Sequence, residues 1–167
     1  MVLIGLGSNR GASIAIILEA MDRLERFAAG TVRRSGLWRT SPVDCPPGAA
    51  DFVNAAAAFE AAPDLTPEAL LAGLKALERE YGVRDTAVRN SPRELDLDLL
   101  LFDDQRRDTP EFSLPHPRAV QRRFVLAPAV EVLPDAVWPG TGRTIRTLLA
   151  ELESDEQVTR LADHVAH

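Results

Sequence analysis

Two aspartates one residue apart, Asp96 and Asp98, stand inside the run Arg93-Glu94-Leu95-Asp96-Leu97-Asp98-Leu99-Leu100. Side chains alternate along a strand, so both acids share one face while Leu95, Leu97 and Leu99 take the other. Same-face positions lie roughly 6.5–7 Å apart along a strand. Like charges that close repel unless something positive stands between them. Magnesium suits that place, because it takes carboxylate and phosphate oxygens together and keeps water. Arg93, just upstream, can offer a phosphate its planar fork. Taken alone, two such acids are more simply read as the outer face of a half-exposed strand. The apolar run Leu99–Phe102 points instead to a buried strand, where two unpaired acids would be costly, and so to a metal.

Three further groups could serve the same chemistry. Gly5-Leu6-Gly7-Ser8-Asn9-Arg10-Gly11 follows an apolar run and precedes a helical pattern, the setting of a phosphate loop. It misses the dinucleotide fingerprint by one residue, since Arg10 stands where a third glycine is required. A tight strand-to-helix turn capped by Ser8 or Asn9 explains it equally well. Thr40-Ser41-Pro42-Val43 and Asp51-Phe52-Val53-Asn54 flank a proline-rich stretch. Asn54 can give a heterocycle both a donor and an acceptor, with Phe52 packed nearby. His116 is set between Pro115 and Pro117 and followed by Arg118, Arg122 and Arg123, so it can donate to a phosphate.

The elements that must position these groups are readable from periodicity. Val2–Leu6 reads as a buried strand closed by a Gly7-Ser8-Asn9 turn. Ala12–Ala29 carries apolar residues at helical spacing and stops at Gly30. Strands are expected over Thr31–Trp38 and Phe52–Phe59. A helix begins with Thr66 as N-cap and Pro67 in its first turn, and ends at Gly82. Leu95–Phe102 is the last long strand. Short helices are expected near Arg118–Phe124 and Thr144–Leu152, with Pro128 as a break between them. The order strand, helix, strand, strand, helix, strand predicts an α+β, ferredoxin-like βαββαβ core, an antiparallel sheet with helices on one face. A single domain over 1–167 accounts for the length, with a poorly ordered tail from about 154 to 167.

Composition narrows the partners. The chain carries 25 acidic and 19 basic residues, a net charge of −6, which argues against nucleic acid. No apolar run approaches the ~20 residues of a membrane span. Lys75 is the sole lysine, and nine of the arginines fall between Arg79 and Arg123, around the aspartate pair. That clustering suits a polyphosphate held locally. Cys45 is the sole cysteine, so no internal disulfide forms and a cytoplasmic location is expected.

Taken together, these residues resemble the 6-hydroxymethyl-7,8-dihydropterin pyrophosphokinase family. The resemblance runs in order through Leu6-Gly7-Ser8-Asn9, Thr40-Ser41-Pro42-Val43, Asp51-Phe52-Val53-Asn54, Glu78-Arg79-Glu80-Tyr81-Gly82, the aspartate run with its preceding Arg89-Asn90-Ser91-Pro92, Leu114-Pro115-His116-Pro117-Arg118, and Arg123-Phe124-Val125-Leu126-Ala127-Pro128. It covers about Leu3 to Leu149. The resemblance implies transfer of the β,γ-diphosphate of ATP to a pterin hydroxymethyl oxygen, releasing AMP, in folate biosynthesis. It implies two Mg2+ ions on Asp96 and Asp98, and phosphate contacts from Arg93, His116 and Arg122. Glu78 matches a glutamate near the nucleotide. Thr40, Pro42, Val43, Phe52, Asn54 and Phe124 fall on the pterin pocket. Small-molecule pterin and ATP are then the partners, and the chain is expected to act as a monomer.

The chain departs from the family pattern in the segment expected to close over substrates. A usual Gly-Arg-x-Arg stretch reads Gly82-Val83-Arg84-Asp85, and a usual Trp-Gly-Pro-Arg reads Asn90-Ser91-Pro92-Arg93. Arg84 and Arg89 are expected to supply the missing cations from shifted positions. Two alternatives stay open at this point: a diverged pterin- and nucleotide-binding relative with weak or no activity, and a small dinucleotide-binding oxidoreductase using Gly5–Gly11.

Overall fold

The computed structural model describes residues 1–9, 12–40, 51–82 and 94–161. β1 (Val2–Ser8) leads into α1 (Ser13–Arg23), which tightens into one 3-10 turn over Leu24–Phe27. β2 (Arg33–Arg34), β3 (Trp38–Thr40) and β4 (Phe52–Phe59) follow, then α2 (Pro67–Arg79) and β5 (Asp96–Phe102). A short pair, β6 (Arg107–Asp108) and β7 (Ser113–Leu114), precedes a 3-10 turn at Ala119–Gln121 and α3 (Arg123–Val132). A second short pair, β8 (Val137–Trp138) and β9 (Arg143–Thr144), leads to α4 (Ile145–Glu151) and β10 (Val158–Arg160).

The main sheet runs β10-β3-β4-β1-β5, with β2 also on β4, and its described pairings are all antiparallel. The first and last strands of each βαβ half are separated by a strand of the other half, so the ferredoxin-like expectation holds. Local signals explain the well-read elements. Thr66 Oγ1 accepts from Ala69 N at 3.1 Å, and Pro67 opens α2 where a missing N–H is harmless. The buried face of α2, with Leu70, Leu74 and Leu77, then packs on the sheet.

The two helices of that core pack on one face as expected, and the later helices add a layer on the opposite face. α1 and α2 cover one side, over Val2, Ile4, Leu6, Ala55, Ala57, Leu97 and Leu99. α3 covers the other, over Leu3, Ala56, Ala58, Leu100 and Leu101, with α4 packed against α3. The alanines of β4 make this possible, because small side chains on both faces admit a helix from either side. The expected break at Pro128 is absent. α3 runs through it, since Leu126, Ala129 and Val132 are buried against the sheet and outweigh one lost backbone bond.

Two more expectations change. The single second strand over Thr31–Trp38 is two short strands, β2 and β3, flanking Ser35 and Gly36. A Cβ at Gly36 would meet the far end of the Arg160 side chain, which crosses it from the chain end. Of the tail expected to be poorly ordered over about 154–167, Val158–Arg160 forms β10 on the free edge of β3, and residues 162–167 lie outside the described residues. Among the described residues, no helix is long and apolar enough to cross a membrane.

Candidate active site

The register of the sheet assembles the site. Asp96 lies opposite Gly7, Gly7 opposite Asn54, and Asn54 opposite Trp38. One pair along, Asp98 lies opposite Gly5 and Gly5 opposite Ala56. Directly paired residues share a face, so both aspartates lie on the α3 side, with Leu3, Ala56 and Leu100. Thr40 pairs with Phe52 and belongs to the same face. Strand spacing puts the Asp96 and Asn54 strands about 9–10 Å apart, with only glycine between them.

Gly5 lies within the expected strand, whereas Gly7, expected in the closing turn, also belongs to it, since the strand continues to Ser8. A glycine inside a strand marks close approach of another group. A Cβ at Gly7 would lie 3.2 Å from Asn54 Nδ2, and one at Gly5 would meet the Leu100 side chain at 3.4 Å. The amide of Asn54 therefore leans over the glycine floor toward the aspartates. Its Oδ1 accepts from Thr40 Oγ1 at 2.8 Å, which orients the amide and leaves Nδ2 facing the floor. Thr40 and Asn54 are both buried, as are Ser8 and Asn9 at the end of β1. Ser8 Oγ donates to Ser13 Oγ at 3.0 Å, joining β1 to the first turn of α1.

A bulge ends the acidic stretch. Leu3 pairs with Leu101 and Ile4 with Leu99, so Leu100 is the extra residue. Before it, acids and leucines alternate between faces; after it, Leu100 and Leu101 both enter the α3-side core. Behind the pair, Glu78 Oε2 accepts from Leu97 N at 2.6 Å on the outer edge of β5. Its Oε1 faces Lys75 Nζ at 3.2 Å. One oxygen of Glu78 thus serves the strand segment between the aspartates while the other pairs with Lys75 on α2, and burial raises its carboxyl above the usual range.

Electrostatically the face is tense. Asp98 is pushed up to about 7, first by burial and then by the charge of Asp96, while Lys75 and Arg122 oppose the shift. His116 is pushed below its usual value, first by burial and then by Arg122 and Arg118, against the pull of Asp96. Its Nδ1 accepts from Arg118 N at 3.3 Å, so the neutral ring carries its proton on Nε2. His116 N donates to Leu100 O at 3.0 Å, which anchors the histidine beside β5. Arg122 immediately precedes α3 and stands over the Phe124 ring at 5.6 Å.

Of the expected site residues, the register brings Asp96, Asp98, Asn54, Phe52 and Thr40 onto one face, and His116 and Arg122 lie within their electrostatic reach. Phe124 sits on the first turn of α3, which packs across β4 and β3. Pro42, Val43, Arg84, Arg89 and Arg93 lie outside the described residues. Sequence reasoning missed the floor role of Gly5 and Gly7, although the glycine pair itself was visible. It also missed Trp38, whose place beside Asn54 follows from register and whose Nε1 donates to Glu131 Oε1 at 2.7 Å. Among the described residues, no three His, Cys, Asp or Glu side chains gather to hold a metal by themselves. Two carboxylates that need outside oxygens match the way magnesium is bound together with phosphates.

The all-antiparallel sheet removes the premise of the dinucleotide-binding alternative, which needs parallel βαβ units. Comparison with known proteins agrees with that. The family model described as 7,8-dihydro-6-hydroxymethylpterin-pyrophosphokinase (HPPK) matches residues 3–134. The chain is 40% identical over 151 residues to the 2-amino-4-hydroxy-6-hydroxymethyldihydropteridine pyrophosphokinase of Pseudomonas aeruginosa, covering 89% of this chain and 90% of the relative. It is 33% identical over 151 residues to the protein of the same name from Synechocystis, covering 90% and 75% respectively. In shape it is similar to a Plasmodium falciparum HPPK-DHPS triple mutant with pteroate, with TM-score 0.65 and 15% identity. That likeness covers 90% of this chain and 42% of the solved one.

Proposed function

The chain belongs to the 7,8-dihydro-6-hydroxymethylpterin-pyrophosphokinase family, and on that premise we propose that it transfers the β,γ-diphosphate of ATP to the hydroxymethyl oxygen of 6-hydroxymethyl-7,8-dihydropterin. The new bond joins that oxygen to the β-phosphorus, the bond from the β-phosphorus to the α–β bridging oxygen breaks, and AMP leaves. The observation that carries the reading is the row Asp96–Gly7–Asn54, where an acid pair and an oriented amide face each other across a bare floor. One end suits an ion and phosphates, the other a heterocycle, and the gap suits the hydroxymethyl group that joins them.

Asp96 and Asp98 fit Mg2+: they share a face, glycines leave room beside them, and the raised Asp98 carboxyl would be relieved by a dication. Magnesium bound there supplies charge neutralisation between acids and triphosphate. Arg122 and the Nε2–H of His116 donate to phosphate oxygens, and the low affinity of His116 for a second proton keeps it a neutral donor. Asn54, with Thr40 fixing its amide, holds the pterin edge, while Phe52 and Phe124 offer aromatic surface. Such a site acts by positioning and charge stabilisation, with little covalent work for the protein. Arg93, Arg84 and Arg89 complete the phosphate side, and Pro42 and Val43 the pterin side, on the strength of the family resemblance. The same reading makes the protein a cytoplasmic monomer.

AMP release tests it. AMP should form only when ATP, the pterin and magnesium are all present, and Asp96→Ala should abolish it. No AMP at high enzyme concentration would overturn the reading.

A further inference from the structure

The segment after α4 lies beyond residue 134, where the family match ends, yet it reaches the start of α3. That helix has no side-chain cap of its own and no acid in its first turn. Val125 N and Leu126 N turn back to Arg122 O, whereas the first N–H, that of Arg123, has no carbonyl of the helix to reach. Glu156 supplies the acceptor from the chain end: its Oε1 accepts from Arg123 N at 3.1 Å. Ser154 Oγ donates to the same oxygen at 3.0 Å and accepts from Glu156 N at 3.1 Å, so the carboxylate is held in place. Arg123 Nη2 donates to Leu152 O at 3.3 Å, closing the contact from the other side.

Further along, the same segment is tied to the pterin side of the site. Val158 pairs with Thr40, Leu161 N donates to Leu37 O at 2.8 Å, and Arg160 meets Glu131 of α3 at 3.0 Å. The chain end thus spans the two elements that carry Arg122 and Phe124 on one side and Thr40 on the other. Its geometry has a cost: Glu156 Oε2 is buried with no hydrogen-bond partner among the described residues. Leaving such an oxygen unpaired is unfavourable. A carboxylate at a helix N-terminus is favoured by the helix dipole, which offsets part of that.

We propose that Glu156 is a positioning residue that fixes the first turn of α3, and with it Arg122 and Phe124, over the glycine floor. The kinetic part of this proposal rests on the pyrophosphokinase reading; the exchange measurement below does not. In Glu156→Ala, amide exchange at Arg123 should quicken about tenfold, and KM for both the pterin and ATP should rise about tenfold with kcat nearly unchanged. Glu156→Gln keeps an acceptor oxygen and should restore both to within about twofold. Arg160→Ala, which cuts the segment's tie to Glu131 but not to Arg123, should lower the melting temperature and leave both readouts alone. If Glu156→Ala does not fold, Ser154→Ala replaces it, with the same directions at smaller size.

Unchanged exchange at Arg123 in Glu156→Ala overturns the proposal. So does a glutamine variant as impaired as the alanine, or an Arg160→Ala variant with an equal rise in KM. Should the wild type release no AMP, the functional reading fails, and the exchange comparison still decides the role of Glu156.

Discussion

The two faces of one sheet have opposite fates. On the α1–α2 side, Val2, Ile4, Leu6, Leu97 and Leu99 are sealed under leucine-rich helices. On the α3 side, the same strands present Gly5, Gly7, Asp96, Asp98 and Asn54 before the second core closes over Leu3 and Leu100. Residues one position apart therefore do different work: Leu97 stabilises the fold while its neighbours Asp96 and Asp98 oppose one another. A strand can carry a strained polar site when its other face is packed well enough to hold it.

That contrast can be broken most directly at Asp98. Asp98→Ala should cut AMP release by about 10³-fold, on the order of 4 kcal/mol of transition-state stabilisation. Its melting temperature should not fall, because a repelling acid has been removed. A variant that lost stability in proportion to activity would erase the distinction between the faces. Leu74→Ala is the converse, since Leu74 is fully buried on the sheet-facing side of α2. It should lose about 2–5 kcal/mol of unfolding free energy in urea, with kcat within a few-fold wherever it remains folded.

The pH dependence sharpens the same point. The folded chain holds the Asp98 proton up to about 7, against 3.8 for an ordinary aspartate. Between those values the folded state binds a proton that the unfolded state has released, so this group's contribution is full below 3.8 and is lost as pH rises through about 7. After dialysis against a chelator, the wild type should lose stability relative to Asp98→Asn as pH goes from 4.5 to 7.5; melts at matched pH would show it. A parallel pair of curves would refute the tension assigned to that face. The smallest effect is at the floor. A Cβ at Gly7 crowds Asn54 Nδ2 at 3.2 Å, so Gly7→Ala should raise KM for the pterin about tenfold and leave KM for ATP nearly unchanged. An equal rise in both would mean that the glycine serves the whole site.

What was legible in the chain was what neighbouring residues decide. β4 spans Phe52–Phe59 as its flanking punctuation implies, and Thr66-Pro67 starts α2 as capping chemistry requires. The aspartates share a face because alternation is a local property. The longer course of α3 was hidden because Pro128 is a strong local signal that burial of Leu126, Ala129 and Val132 overrides. β10 was hidden because three residues following an acidic stretch become a strand only when the edge of β3 is there to pair with them.

By itself, the sequence determined the strand and helix order, the acid pair and the family. The tertiary structure decided which groups meet. Alternation says that Asp96 and Asp98 point the same way; only the register of β1 between β5 and β4 sets them across two glycines from Asn54. Likewise, Glu156 becomes a cap only where the chain end returns to α3. Local backbone geometry limits each residue to a face, whereas the partner across that face is chosen by packing between segments far apart in the chain.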